Sequence, residues 1–157
     1  MELFTVAFFG HRRIEDLLHT EERLENYIRT LLREKEYVEF LVGNNGAFDQ
    51  CVASVIKRLQ KNYRGDNSTM TLFLPYYTAE YAHNREEMEG YYSNVEISFE
   101  AASAHPKRAI KIRNFEMAER CDLILCYVSQ NKGGAFQAVS HGKKYGKPIF
   151  NLGTYNF

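Results

Sequence analysis

The sequence contains no tryptophan, only three cysteines and three prolines, and no excess of either charge, since 20 Lys and Arg balance 20 Asp and Glu over 157 residues. A net charge of zero argues against a dedicated binder of nucleic acid or of an anionic membrane. No hydrophobic run approaches the length of a membrane span, and Met1 leads within four residues into a predicted strand. We therefore expect neither a membrane segment nor a signal peptide.

Several motifs of metal sites and hydrolases are also missing. The cysteines lack the paired spacing of zinc ligands, and neither C-x-x-C nor H-x-x-x-H occurs, which argues against a metal. There is no G-x-S-x-G or P-loop sequence, so serine-hydrolase and kinase functions have no motif to support them. We expect no cofactor, and we interpret Cys51, Cys121 and Cys126 as reduced thiols of a cytoplasmic protein.

The sequence does contain a regular alternation of apolar runs with amphipathic segments. The runs lie at residues 4–9, 38–42, 70–74, 122–128 and 148–152, with a further short strand placed at 95–99. Continuous apolar runs are typical of parallel strands that are covered on both faces. This pattern predicts an α/β protein with a Rossmann-like, doubly wound, mostly parallel sheet of about five strands flanked by helices, in one domain over residues 1–157.

The intervening segments predict helices. Thr20 is a suitable N-cap for the first one, whose apolar stripe follows a helical period. A second stripe covers residues 48–59, and the polar segment after Pro75 predicts a single helix over residues 79–91. Pro106 suits the first turn of a helix that runs to Arg120, and a last helix covers residues 136–145.

Polar and glycine-rich loops follow four of the predicted strands, at Gly10-His11-Arg12, 43–46, 75–77 and Gly133-Gly134. Because ligands of doubly wound sheets bind at the carboxyl ends of the strands, these loops predict one shared site. Paired glycines before a helix allow an anion, most commonly a phosphate, to approach the free N–H groups of the helix start.

Each candidate also has a structural explanation, and the sequence does not choose between them. His11 and Arg12 could donate to a phosphate or ribose, or could simply be solvated. Asp49 could accept a hydrogen bond from a sugar hydroxyl, or could serve only as an acidic residue in a first helical turn. Arg113 could face the strand ends or solvent, and Gly133-Gly134 could be a mere turn.

The motifs GHRR, GNNGAFDQCVA, LPYY, RNFEMAERCDLIL and GGAFQAV, in this order, resemble those of the SLOG superfamily. That Rossmann-like group includes DNA-processing protein A and the Lonely Guy phosphoribohydrolases, and the chain is most similar to its small stand-alone YpsA-like members. The resemblance covers about residues 6–152 and implies a nucleotide-type ligand and a homodimer. With the loop residues above, the predicted ligand-binding set is Gly10, His11, Arg12, Gly43, Asn45, Gly46, Asp49, Tyr76, Arg113, Asn114, Gly133, Gly134, Ala135 and Gln137.

The chain departs from the enzymes of that group in one respect. Their G-G-x-G-T-x-x-E motif ends in a catalytic glutamate, and here Ala138 occupies that position, Ala135 replaces the threonine, and no Asp or Glu follows Gly133. We therefore expect a module that senses or sequesters a nucleotide-derived ligand. The alternative is an N-glycosidase or phosphoribohydrolase acting on nucleoside monophosphates with a non-standard carboxylate from Glu80, Glu86, Glu87 or Glu89.

Overall fold

The computed structural model describes residues 2–157 and contains one six-stranded sheet. Every neighbouring pair of strands is parallel, in the order β4-β3-β2-β1-β5-β6. The prediction of a doubly wound parallel sheet is confirmed, and the short strand β4 makes the sixth member. The strands are β1 Leu3–Gly10, β2 Tyr37–Val42, β3 Ser68–Leu74, β4 Asn94–Ile97, β5 Leu123–Tyr127 and β6 Ile149–Asn151.

Seven helices connect these strands within the described residues. None of them is long and apolar enough to cross a membrane. The helices are α1 Leu17–Glu34, α2 Ala47–Asn62, α3 Ala79–His83, α4 Arg85–Tyr91, α5 Phe99–Ala102, α6 Pro106–Arg120 and α7 Gly134–Lys144.

Both faces of the sheet are covered, which explains why β1 is apolar at successive positions. Val6 and Phe8 pack in one cluster with the buried residues of α1 and α2. Ala7 and Phe9 point to the opposite face, where they pack with residues of α6 and α7. Alternate side chains of a strand face opposite sides of a sheet, so a strand buried on both sides needs apolar residues throughout.

Helix α1 begins earlier than the sequence predicts. Asp16 is its N-cap, with the side chain accepting a hydrogen bond from the backbone N–H of His19, whereas the predicted cap Thr20 is buried inside the helix. Leu18 in the first turn is 80% exposed. The apolar stripe does not extend to the helix start, so periodicity alone could not locate the cap.

The segment after β3 is more broken than predicted. The single helix expected over residues 79–91 is two short helices, because the backbone at Asn84 leaves the helical conformation between α3 and α4. A further short helix, α5, follows β4 and is capped by the Ser98 hydroxyl, which accepts from the N–H of Ala101 at 3.1 Å. Asn and Ser side chains compete for backbone hydrogen bonds, and this favours helix ends over helix interiors. Pro106 starts α6 as predicted.

The chain changes its direction of winding between β1 and β5. Strands β1 to β4 are added in order towards one edge, after which β5 and β6 are added on the other side of β1. The carboxyl ends of β1 and β5 therefore diverge into loops that lead to opposite faces of the sheet. This is the place where a doubly wound sheet leaves a crevice for a ligand.

Candidate functional site

A cavity of about 330 Å³ opens at this switch point. Three groups of residues line it: the end of β1 with its loop, the loop after β2 with the start of α2, and one face of α6 together with the start of α7. Eleven of the predicted site residues lie in this lining. They are Gly10, His11, Arg12, Gly43, Asn45, Asp49, Arg113, Asn114, Gly133, Gly134 and Ala135.

Arg113 is the central cation of the cavity and is only 6% exposed. Its Nη1 donates to the carbonyl oxygen of Phe73 at 2.6 Å, and its Nε donates to Asn114 Oδ1 at 2.9 Å. Burial lowers the pKa of the guanidinium, and the nearby Asp49 charge opposes that effect. A guanidinium stays protonated in proteins and has five donors, so three N–H groups remain without an acceptor in residues 2–157.

Asn114 connects this arginine to the start of α7. Since its Oδ1 accepts from Arg113, its Nδ2 is turned towards Gly134 and lies 3.8 Å from where a Cβ of that residue would be. Gly133 has φ 96°, a left-handed conformation that favours glycine, and apart from its chain neighbours no residue among 2–157 has an atom within 4 Å of its Cβ position. Among the described residues no side chain caps α7, so its first N–H groups face the open cavity.

Asp49 reaches the cavity from the first turn of α2 and is partly exposed. Its Oδ2 accepts a hydrogen bond from the backbone N–H of Asn45 at 2.9 Å. Burial raises the pKa of this carboxyl to about 6, although the Asn45 N–H and the charge of Arg113 both act to lower it. Among the described residues that line the cavity, Asp49 is the one carboxylate.

Gly43 allows these two charged groups to come together. A Cβ at this position would lie 2.9 Å from Asp49 Oδ2 and 3.8 Å from Arg113 Nη1. Any side chain larger than hydrogen would displace the carboxylate from the Asn45 N–H. Residue 43 must therefore be a glycine, because the Asp49 carboxylate occupies the space that a side chain at this position would need.

His11 has a structural hydrogen bond as well as a place in the lining. Its Nε2 accepts from the backbone N–H of Ser129 at 2.9 Å, which ties the β1–α1 loop to the β5–α7 loop. An acceptor nitrogen carries no proton, and burial lowers the pKa of the ring in the same direction. The ring is thus neutral with its proton on Nδ1, and only that nitrogen is left to donate to a ligand.

Three of the predicted residues lie outside the lining. Gly46 packs against Arg12, whose carbonyl oxygen accepts from the N–H of Ala47 at 2.9 Å, so it joins the first two loops. Tyr76 is half-buried beyond the cavity, and Gln137 is exposed on α7.

The acidic residues considered for catalysis also lie elsewhere. Within residues 2–157, none of Glu80, Glu86, Glu87 and Glu89 lines the cavity. Glu89 accepts from the Tyr81 hydroxyl at 2.6 Å and pairs with Arg85. Ala138, at the glutamate position of the phosphoribohydrolase motif, is fully buried on the core face of α7.

Sequence reasoning missed the apolar part of the lining, which consists of Phe8, Phe9, Ile110 and Met117. A signal for two of them was available. Ile110 and Met117 lie three residues before and four residues after Arg113, so all three project from one face of α6.

No protein-family model matches the sequence, and no curated protein sequence matches it. Two solved structures share its fold. DNA processing protein A from Streptococcus pneumoniae superimposes with a TM-score of 0.66 at 14% identity, over 95% of this chain and 50% of that protein. DNA processing protein A from Helicobacter pylori, described for its single-stranded DNA binding mode, gives 0.65 at 16% identity, over 97% of this chain and 66% of that protein.

The chain thus spans between half and two thirds of the length of these proteins. Identities of 14 and 16% establish likeness of fold alone. The protein has the Rossmann-like fold of these two structures. Membership of the SLOG superfamily and of its YpsA-like group stays a prediction.

Proposed function

We propose that the protein binds a phosphorylated, nucleotide-type small molecule in the cavity between β1 and β5. The observation that carries the proposal is Arg113, a buried guanidinium with unused donors that lines the cavity beside the start of α7. A buried charge is costly unless a partner compensates it, and a phosphate provides acceptors that match a guanidinium.

The helix start supplies a second attraction for the same group. The first N–H groups of α7 and the positive end of its dipole favour an anion at Gly133 to Ala135. Asn114 reaches from Arg113 towards Gly134, so a single phosphate could contact both elements. Ile110 and Met117 line the same wall of the cavity, where their apolar side chains can contact a less polar part of the ligand.

Binding without turnover agrees best with the residues present. A phosphoribohydrolase needs a carboxylate next to the glycosidic bond, and the position of the family's glutamate holds the buried Ala138. The N-glycosidase alternative through Glu80, Glu86, Glu87 or Glu89 would require a rearrangement of α3 and α4, because these side chains lie outside the cavity lining. Mass spectrometry of each ligand after incubation tests it, since free base would establish turnover.

Arg113→Ala tests the proposal directly. We expect the substitution to weaken binding of AMP or ribose 5-phosphate by about 1.5–3 kcal/mol, because it removes charge-assisted hydrogen bonds to the phosphate. Isothermal titration calorimetry measures the effect. Arg108→Ala is the matched control, since Arg108 is exposed on the same helix and outside the lining. Equal affinities of wild type and Arg113→Ala, or no binding of any phosphate ester by the wild type, would contradict the proposal.

Single-stranded nucleic acid is the second candidate ligand, although the neutral net charge argued against binding of nucleic acid. The fold likeness to a DNA processing protein described for its single-stranded DNA binding mode favours it. Tyr77 after β3 and Phe99 after β4 are 53% and 92% exposed at the carboxyl edge of the sheet, where bases could stack on them.

Fluorescence anisotropy with a labelled oligothymidylate tests this second candidate. If it is correct, Tyr77→Ala and Phe99→Ala should each weaken binding, by about 1–3 kcal/mol per lost stacking contact, and salt should weaken it further. Tyr145→Ala is the control, because Tyr145 is 57% exposed at the end of α7, away from that edge. A lack of binding at low salt would eliminate this candidate. The homodimer and the cytoplasmic location remain predictions.

A further inference from the structure

We infer that Asp49 recognises the vicinal hydroxyls of a ribose, so that the cavity takes ribose phosphates and ribonucleotides in preference to their 2-deoxy counterparts. The inference rests on the proposed function, because it assumes that a phosphate occupies the Arg113 end of the cavity. It adds the class of sugar that the site selects.

The first argument is that one oxygen of the Asp49 carboxylate is free to accept hydrogen bonds. Oδ2 accepts from the Asn45 N–H at 2.9 Å, and this is the one hydrogen bond of the carboxylate within residues 2–157, so Oδ1 accepts none. The side chain is partly exposed, and it is exposed to the cavity. An ionised carboxylate only accepts hydrogen bonds, and two neighbouring hydroxyls of a sugar can both donate to it.

The second argument is that this carboxylate is held in place before any ligand arrives. The loop from Gly43 brings the Asn45 N–H to Oδ2, and the absence of a side chain at Gly43 leaves room for the Asp49 carboxylate. Asp49 itself belongs to the first turn of α2, a rigid element that packs on the sheet. An acceptor fixed in this way loses little entropy when it binds a donor.

The third argument is the distribution of charge across the cavity. Arg113 and the start of α7 attract an anion, whereas Asp49, which approaches Arg113 beside Gly43, repels one. A ligand that satisfies both side chains has an anionic group towards α7 and, next to it, hydrogen-bond donors towards Asp49, and a ribose phosphate has both. The ligand is thereby oriented with its phosphate at α7 and its hydroxyls at Asp49.

The test compares ribose 5-phosphate with 2-deoxyribose 5-phosphate, and AMP with dAMP, by calorimetry at pH 7.5. We expect the ribose forms to bind about 10- to 100-fold more tightly, since a charge-assisted hydrogen bond is lost in the deoxy forms. Asp49→Asn should reduce this ratio to near one, because its single amide oxygen is needed by the Asn45 N–H. Asp66→Asn, which removes an exposed carboxylate distant in sequence from the site, should retain the wild-type ratio.

The possible results separate the two proposals. Equal binding of ribose and deoxyribose forms by the wild type would overturn this inference and leave the phosphate site standing. A ribose preference that persists in Asp49→Asn would also overturn it. Binding of neither form would refute the proposed function, and this inference with it. Tighter binding of AMP than of ribose 5-phosphate would identify a nucleotide as the ligand, and equal binding would identify the sugar phosphate.

The wild-type protein offers a second measurement that needs no variant. Below pH 6 protonation of Asp49 removes the charged acceptor, so the ratio of ribose to deoxyribose affinity should fall between pH 7.5 and pH 5. The phosphate ionises identically in both ligands, so its titration cancels in the ratio. A ratio that does not change with pH would argue against Asp49 as the acceptor.

Discussion

Among single residues, Asp49 and Arg113 explain most of the chemistry that the cavity offers. Both are largely withdrawn from water, and burial disfavours the charged form of each, raising the pKa of the acid and lowering that of the base. Their mutual attraction offsets part of this cost. The site therefore keeps two charges that a purely structural loop would not require.

The titration of Asp49 predicts a pH-dependent cost to stability. Its pKa is about 6 in the folded protein and 3.8 ordinarily, so the unfolded chain releases this proton first as the pH rises. The free energy of unfolding is therefore highest below pH 3.8, where Asp49 is protonated in both states. It falls as the pH rises from 3.8 to 6, and above pH 6 the total decrease due to Asp49 is up to about 3 kcal/mol. Asp49→Asn cannot ionise and should avoid that loss.

Urea unfolding of both proteins between pH 4 and 7.5 measures this effect. The stability of Asp49→Asn relative to wild type should increase across this range, and the comparison cancels the other titrating groups to a first approximation. Parallel pH profiles of the two proteins would contradict a raised pKa of Asp49 in the folded protein. Asp66→Asn controls for the loss of an exposed carboxylate.

Helix α2 packs closely on β1 at the glycine that ends this strand. A Cβ at Gly10 would lie 2.2 Å from Phe48 Cγ and 2.5 Å from Phe48 Cβ, so α2 packs directly on the end of this strand. Phe48 is fully buried. The glycines of the loops around the cavity therefore serve the packing of the elements as well as the approach of a ligand.

Gly10→Ala should accordingly destabilise the protein by about 1–3 kcal/mol, because the added methyl group overpacks a buried contact. Gly90→Ala is the matched control. Gly90 lies in the exposed α4, where no atom of residues 2–157 beyond its chain neighbours and the backbone of its own helix is within 4 Å of its Cβ position, so the change should leave stability equal or higher. Thermal unfolding monitored by circular dichroism compares them. A Gly10→Ala protein as stable as wild type would mean that Phe48 repacks freely.

In the molecule as a whole, the order of the strands determines where the site lies. Because β5 returns to the far side of β1, helices α6 and α7 cover one face while α1 and α2 cover the other. The cavity opens between the two sets, so loops from distant parts of the chain contribute to it. Asp49 and Arg113 are 64 residues apart in the sequence and become neighbours only through this topology.

The sequence by itself determined the class of fold and most of the cavity lining. Apolar runs and amphipathic periods reflect burial, which acts on each element locally, and loops at the carboxyl ends of parallel strands must meet at one edge. For this reason Gly10, Gly43 and Gly133 could be named in advance, whereas for Arg113 the sequence left an orientation towards solvent open. The break at Asn84 could not, because the composition of residues 79–91 also suits a continuous helix.

Only the tertiary structure decided what the side chains do. In the folded chain, His11 Nε2 accepts from the Ser129 N–H and Arg113 donates to the Phe73 carbonyl oxygen, while one oxygen of Asp49 stays open to the cavity. The first two contacts join residues that are 118 and 40 positions apart. Periodicity describes which face of an element is buried, whereas a hydrogen bond depends on the positions of two elements relative to each other, and those positions follow from packing.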